Sequence, residues 1–193
     1  MSEIMTKGQA EALFTNALPN MVFETVTTNE TEFVGNVAQN TQGKIDLGPN
    51  TSAYQHFTMT NSVALCNTNA TYSIEAYLNL TWDTSGPLSG AYAVFCFQQN
   101  DQILFSPDNQ PFIVPLEASG AGGYNKVIQL GCTRCTLAQG DTIQLTGWWS
   151  NSGPGNLTSV GAKNRAFGAI AGPMTVPSVA YTAHMRIFAY LQP

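Results

Sequence analysis

Charge is what this 193-residue sequence has least of. Asp, Glu, Lys and Arg together make up 10% of it, against about 25% in an average soluble domain. Asn, Thr, Gln, Ser and Gly stand where those charges would be. A metabolic enzyme monomer ordinarily keeps a mixed charged surface for solubility. Ammonium and carboxylate groups are costly to desolvate, so interface cores are poor in them. Much of the surface is therefore expected either to be buried in an assembly or to be a solvated Asn/Thr-rich face, two states that can coexist. Cations are scarcer still. Lys7, Lys44, Lys126, Arg134, Lys163, Arg165 and Arg186 are scattered singly and the net charge is −5, which disfavours phosphate-backbone binding, since that needs clustered cations. We expect no nucleic-acid partner.

Long apolar runs are missing as well. No stretch is long enough to cross a bilayer, and no apolar segment follows Met1-Ser2-Glu3, so neither membrane insertion nor a cleaved signal is expected. Cysteine is limited to four residues. Cys132-Thr-Arg-Cys135 has the spacing of a zinc knuckle or of a disulfide across a tight turn, but a zinc site ordinarily has a second close pair. Cys66 ends an apolar run and Cys96 sits inside one, which reads as small buried hydrophobes. The redox state of all four stays open, and no metal or cofactor is expected.

Helical periodicity occurs once, over Thr6 to Leu18, and Pro19-Asn20 stops it. Residues 1–20 read as an N-terminal arm, either docked on a neighbour or frayed. Residues 21–193 read as one domain, long enough to bury a substantial core. Within it, strand-like runs recur about every 8–12 residues, the signature of a β-sandwich or barrel. These runs are Met21–Val26, Glu32–Val37, Lys44–Leu47, Tyr54–Met59, Tyr72–Trp82, Ala91–Phe97, Gln102–Phe105, Phe112–Leu116, Tyr124–Leu130, Cys132–Leu137, Thr142–Trp149, Ala166–Ala171 and Tyr181–Leu191. The clearest alternation puts Tyr72, Ile74, Ala76, Leu78, Leu80 and Trp82 in a core. It leaves Ser73, Glu75, Tyr77, Asn79 and Thr81 wet or at an interface. The Gly/Pro-rich stretches Asn151–Gly161 and Gly172–Ser178 read as variable loops. The fold class is all-β: a single jelly-roll sandwich of about 8–10 antiparallel strands after a short arm or helix.

Chemistry-bearing residues are sparse. His56 and His184 lie far apart in strand-like segments and belong to no metal or nucleophile motif. A strand histidine that is partly buried is the plain reading, and a pH-sensing interface the sharper one. Asp141 falls in a turn, Asp101 and Asp108 in loops, and Glu75 on a polar strand face. We expect no catalytic residue and no enzyme. Asn29, Asn50, Asn69, Asn79 and Asn156 head N-x-[ST] triplets, which arise by chance in so Asn- and Thr-rich a chain. Trp148 and Trp149 must point to opposite strand faces, so one enters the core and the other is free to anchor an interface. Phe188 and Tyr190 oppose Met185, Ile187, Ala189 and Leu191, either set facing inward, so this strand is apolar on both faces and is covered either by another protomer or within one sandwich. The expected interface residues are Trp148, Trp149, Phe188, Tyr190 and Tyr77, and truncating either tryptophan is expected to weaken assembly more than folding.

Two resemblances bear on function. Tyr124-Asn-Lys-Val-Ile-Gln-Leu, the Gly140-Asp141 turn before Thr-Ile-Gln-Leu, Ala166-Phe-Gly-Ala-Ile and the closing Met185-Arg-Ile-Phe-Ala-Tyr-Leu resemble the trimeric C1q and tumour-necrosis-factor-like jelly rolls. The Met-initiated, Asn/Thr-rich, low-charge texture with an arm is similar to single jelly-roll capsid and penton proteins of icosahedral viruses. That second resemblance implies a structural homo-oligomer, a pentamer first and a trimer second, placed beside neighbouring capsid proteins in a virion assembled from protein made in the host cytoplasm. The first implies a trimeric recognition head of a spike or fibre, binding a receptor or glycan. A sugar-binding or sugar-cleaving jelly roll stands third.

Overall fold

A computed structural model describes residues 20–33, 35, 43–49, 56–104, 110–151, 157–163 and 181–190, the side chains of Cys132 and Thr133 excepted. The expected helix Thr6–Leu18, residues 1–19 of the arm, the expected strand Ala166–Ala171 and the Gly172–Ser178 stretch lie outside them. The described residues form two antiparallel sheets packed face to face, a jelly-roll sandwich.

One sheet is built on the long strand Ala70–Thr84 and holds β1 (Asn20–Thr27) and β2 (Thr31–Glu32). The other sheet takes β3 (Gly43–Lys44), β4 (Phe57–Thr60) and β5 (Val63–Cys66). β4 and β5 form a hairpin whose turn residues Asn61 and Ser62 both have positive φ, at 50° and 63°, the backbone that a tight right-twisted hairpin requires. β6 (Ala70–Thr84) is the keystone of the first sheet. β10 (Gly122–Leu137) runs along one of its edges from Ala70 to Thr84. Its other edge is shared by β13 (Ala183–Tyr190), opposite residues 71–78, and β12 (Leu157–Ala162), opposite residues 80–84. In the second sheet β7 (Ala91–Gln99) pairs with β8 (Gln102–Ile103), β9 (Phe112–Leu116) and β11 (Thr142–Asn151).

The alternation of β6 places Tyr72, Ile74, Ala76, Leu78, Leu80 and Trp82 in the core, none more than 6% exposed. Aromatic rings tie the sheets together. Phe23 of β1 meets Phe57 of β4 at 5.7 Å, Phe57 meets Tyr72 at 5.0 Å, and Phe33 meets Phe95 at 5.2 Å, all edge-to-face as the ring quadrupoles favour.

Four details depart from the sequence reading. Asn151–Gly161 is not a loop throughout, because β11 ends at Asn151 and Leu157–Ala162 is a strand. Its small residues carry little periodicity, and Gly161 is needed because a Cβ there would strike the Thr31 carbonyl of the partner strand β2. Val63–Cys66 is also a strand that the sequence reading passed over. Cys132–Cys135 does not span a tight turn. It is a bulge in one continuous β10, with Arg134 at φ 58° and the register shifting against β6. Finally, Asn79 and Thr81 share the outward face of β6 yet are fully buried, so a glycan on folded Asn79 has no room.

Candidate interaction surface

The outward faces of β1, β13, β6 and β10 form the most elaborated surface among the described residues. Period-2 alternation turns Ala183, Met185, Ile187 and Ala189 inward and sends His184, Arg186, Phe188 and Tyr190 outward. Register then sets their neighbours: His184 faces Tyr77, Arg186 faces Glu75, Phe188 faces Ser73 and Tyr190 faces Thr71. On the other side a bulge at Val22 lets Met21 sit outward beside Phe188 while Phe23 turns into the core beside Ile187. One extra residue thereby reverses which face a side chain reaches.

Arg186 organises this surface. One of its terminal nitrogens, Nη2, donates to Glu75 Oε2 and to the Tyr77 hydroxyl, both at 2.9 Å. The guanidinium carbon lies 5.2 Å from the Tyr77 ring centre and 5.7 Å from that of Phe188, within cation–π range of both. Gln129 Nε2 of β10 donates to the same Tyr77 hydroxyl at 3.0 Å. Next along β13, His184 Nε2 lies 2.8 Å from Glu24 Oε1. Its ring contacts Tyr77 at 5.8 Å and Tyr181 at 6.1 Å. The Arg186 charge therefore comes already paired with Glu75, which lowers the cost of covering it compared with burying either group alone. Arg186 Nε is buried without a hydrogen-bond partner, and Met21, Val26 and Val127 are 38–40% exposed around the cluster.

Of the five interface residues expected from sequence, the fold gathers Tyr77, Phe188 and Tyr190 on this one sheet face. The two tryptophans lie on β11 of the other sheet. Trp148 points outward there, half-buried opposite Val94. Trp149 packs against the core and its indole N–H donates to the Phe33 carbonyl at 2.9 Å. The sequence reading gave no interface role to Arg186, Glu24 or Gln129, and it considered His184 as a partly buried strand histidine or a pH-sensing interface residue without placing it in this cluster. The alternation that turned Phe188 outward also turns Arg186 and His184 outward, but only strand register shows which residues they meet.

Other chemistry-bearing residues are occupied structurally. Asp141 accepts from Asn100 Nδ2 and Gln99 Nε2 at 2.8 Å and from the Ala138 N–H at 2.9 Å. These bonds, that from Asn100 foremost, hold its carboxyl below the usual range. Asp141 thereby locks the Gly140 turn to the Asn100-Asp101 turn. His56 Nδ1 lies 3.2 Å from the Tyr72 hydroxyl, which donates to the Thr68 carbonyl at 2.6 Å. Burial pushes the Tyr72 phenol well above its ordinary range. Cys66, Cys96 and Cys135 are buried thiols in no disulfide, and burial pushes the Cys96 thiol up despite its contact with Thr146.

No family model and no curated protein matches the chain. Among solved structures it is similar to the globular domain of zebrafish complement 1qA protein, with 13% identity and a TM-score of 0.45 over 89% of this chain and 98% of that one. It is also similar to murine APRIL, with 10% identity and a TM-score of 0.41 over 88% of this chain and 98% of that one.

Proposed function

We propose that this chain is a non-enzymatic, homo-oligomeric recognition head whose copies associate through the outward face of β1, β13, β6 and β10. The observation that carries the reading is the Arg186 cluster. A guanidinium lies against two aromatic rings, its charge is matched by Glu75, and exposed Met21, Val26 and Val127 surround it. Arg and Tyr are the side chains that most often anchor interfaces. A chain with 10% charged residues has placed an ion-paired, aromatic network where a partner can cover it. Three-fold stoichiometry follows from the C1q- and tumour-necrosis-factor-like cadence of the C-terminal third. The low overall charge separately supports a second reading, a penton or minor capsid ring in a virion, which requires five protomers.

Native mass spectrometry of the full chain and of Phe188→Asp tests the proposal. We expect a wild-type trimer, and a Phe188→Asp variant that is monomeric at micromolar concentration with an unchanged far-ultraviolet spectrum. A pentamer transfers the assignment to the ring. A wild-type monomer, or an oligomer that survives Phe188→Asp, overturns the proposed face.

A further inference from the structure

An open groove of about 680 Å³ lies at one end of the sandwich, between the loop before β7 and the loop after β9. That volume falls within the roughly 300–1,000 Å³ typical of small-molecule sites. The groove shares no residue with the Arg186 cluster. We propose that this groove binds a neutral saccharide.

Its walls are pinned before any ligand arrives. The Leu88 N–H donates to the Ala118 carbonyl at 3.1 Å, tying one loop to the other. The Gly120 carbonyl accepts from Thr84 Oγ1 at 2.8 Å and from the Tyr124 hydroxyl at 2.9 Å. Gly90, at φ 70°, supplies a left-handed corner in the opposite wall. A site ordered in advance loses less entropy on binding.

The chemistry of the lining selects the ligand class. Tyr124 stacks on Trp82, with ring centres 5.7 Å apart and planes 14° from parallel. Its hydroxyl is committed to Gly120, so the half-exposed ring offers the groove a fixed apolar platform. Leu88 and Pro115 extend that apolar surface, while the hydroxyls of Ser89 and Ser119 and the carboxylate of Glu117 provide polar groups. A sugar ring presents the same combination, C–H faces beside hydroxyl edges, and a carboxylate accepting from sugar hydroxyls makes the stronger, charge-assisted kind of bond. Among the described residues the lining contains no Lys, Arg or His, so sialylated, sulfated or phosphorylated ligands would meet Glu117 with no compensating cation. A quaternary ammonium wants a cage of several aromatic rings, and the described lining has one, Tyr124.

The test uses the labelled full chain on an array of neutral mannose-, galactose- and N-acetylglucosamine-terminated oligosaccharides, with sialylated and sulfated versions beside them. Hits are titrated calorimetrically. We expect retention on neutral glycans, with at least a tenfold loss of affinity in Glu117→Gln and in Ser89→Trp, which fills the groove from an exposed position. No neutral hit, binding confined to acidic glycans, or affinity unchanged in both variants overturns the proposal. Each variant is checked for wild-type melting. Phe188→Asp should retain the glycan, so loss of the oligomer and loss of the ligand site are read separately.

Discussion

Trp149 and Trp148 are adjacent in sequence, yet the fold assigns them opposite consequences when truncated. Trp149 packs on the core and donates its indole N–H to Phe33. Trp149→Ala removes most of a large aromatic side chain and leaves the Phe33 carbonyl without that donor. A fully buried Trp→Ala change costs about 3–5 kcal/mol; half-burial scales the packing loss to about 2, and the lost hydrogen bond contributes about 1 more. The sum is about 3 kcal/mol, equivalent to a fall in Tm of roughly 6–12 °C for a chain of this size. Trp149→Phe keeps most of the packing and isolates the hydrogen bond, with an expected fall of roughly 2–4 °C. Trp148→Ala, outward and half-buried, should cost less than about 1 kcal/mol of folding stability. Differential scanning calorimetry of the three variants, with native mass measured alongside, decides the matter. The reasoning fails if Trp149→Ala melts with the wild type, or if it loses oligomer mass while its Tm is unchanged.

Asp141→Ala removes the acceptor for three donors and should cost about 2 kcal/mol at neutral pH, read by urea denaturation. Because the folded carboxyl titrates below its unfolded value, its contribution is complete above the ordinary carboxylate range near pH 4 and is lost as the pH falls through the lowered folded value. The difference between wild type and variant should therefore shrink toward about pH 2, and a pH-independent difference would falsify the assignment. Gly147→Ala places a Cβ 2.9 Å from the Phe95 ring and 3.2 Å from Phe33. Overpacking of this kind should lower stability by about 1–3 kcal/mol, visible as a lower urea midpoint.

How far the sequence could be read depended on where the information resides. Residues 72–82 announced their strand and its inward face because both sides of β6 differ in polarity at nearly every step. In β13 the alternation of Met185, Ile187 and Ala189 with Phe188 and Tyr190 was legible but the inward face was not, because both sets are apolar there. β12 was not legible, since Leu157–Ala162 is held by close backbone approach at Gly161 rather than by a pattern of large side chains. Tyr124–Leu130 and Cys132–Leu137 read as two separate runs, but the long edge of β6 joins them by pairing with β10 on both sides of Gly131. The Arg186 cluster shows the harder limit. Tyr77 and Phe188 could be nominated from aromatic character, but the ion pair between Glu75 and Arg186 joins residues 111 positions apart, and nothing local encodes that meeting.

The shared edge of β6 also governs when this protein can fold. Along that edge residues 71–78 pair with β13, more than a hundred residues later, and among the described residues β1 pairs with that same element alone. On a ribosome, β6 and β1 must wait with open hydrogen-bonding edges while the intervening chain is made. Closure over such sequence separations is slow, and waiting edges invite pairing with other nascent chains. Neighbouring copies on one message would present the same open edges to each other, so yield in a cell should respond to translation rate and chaperone supply more than to the stability of the finished sandwich.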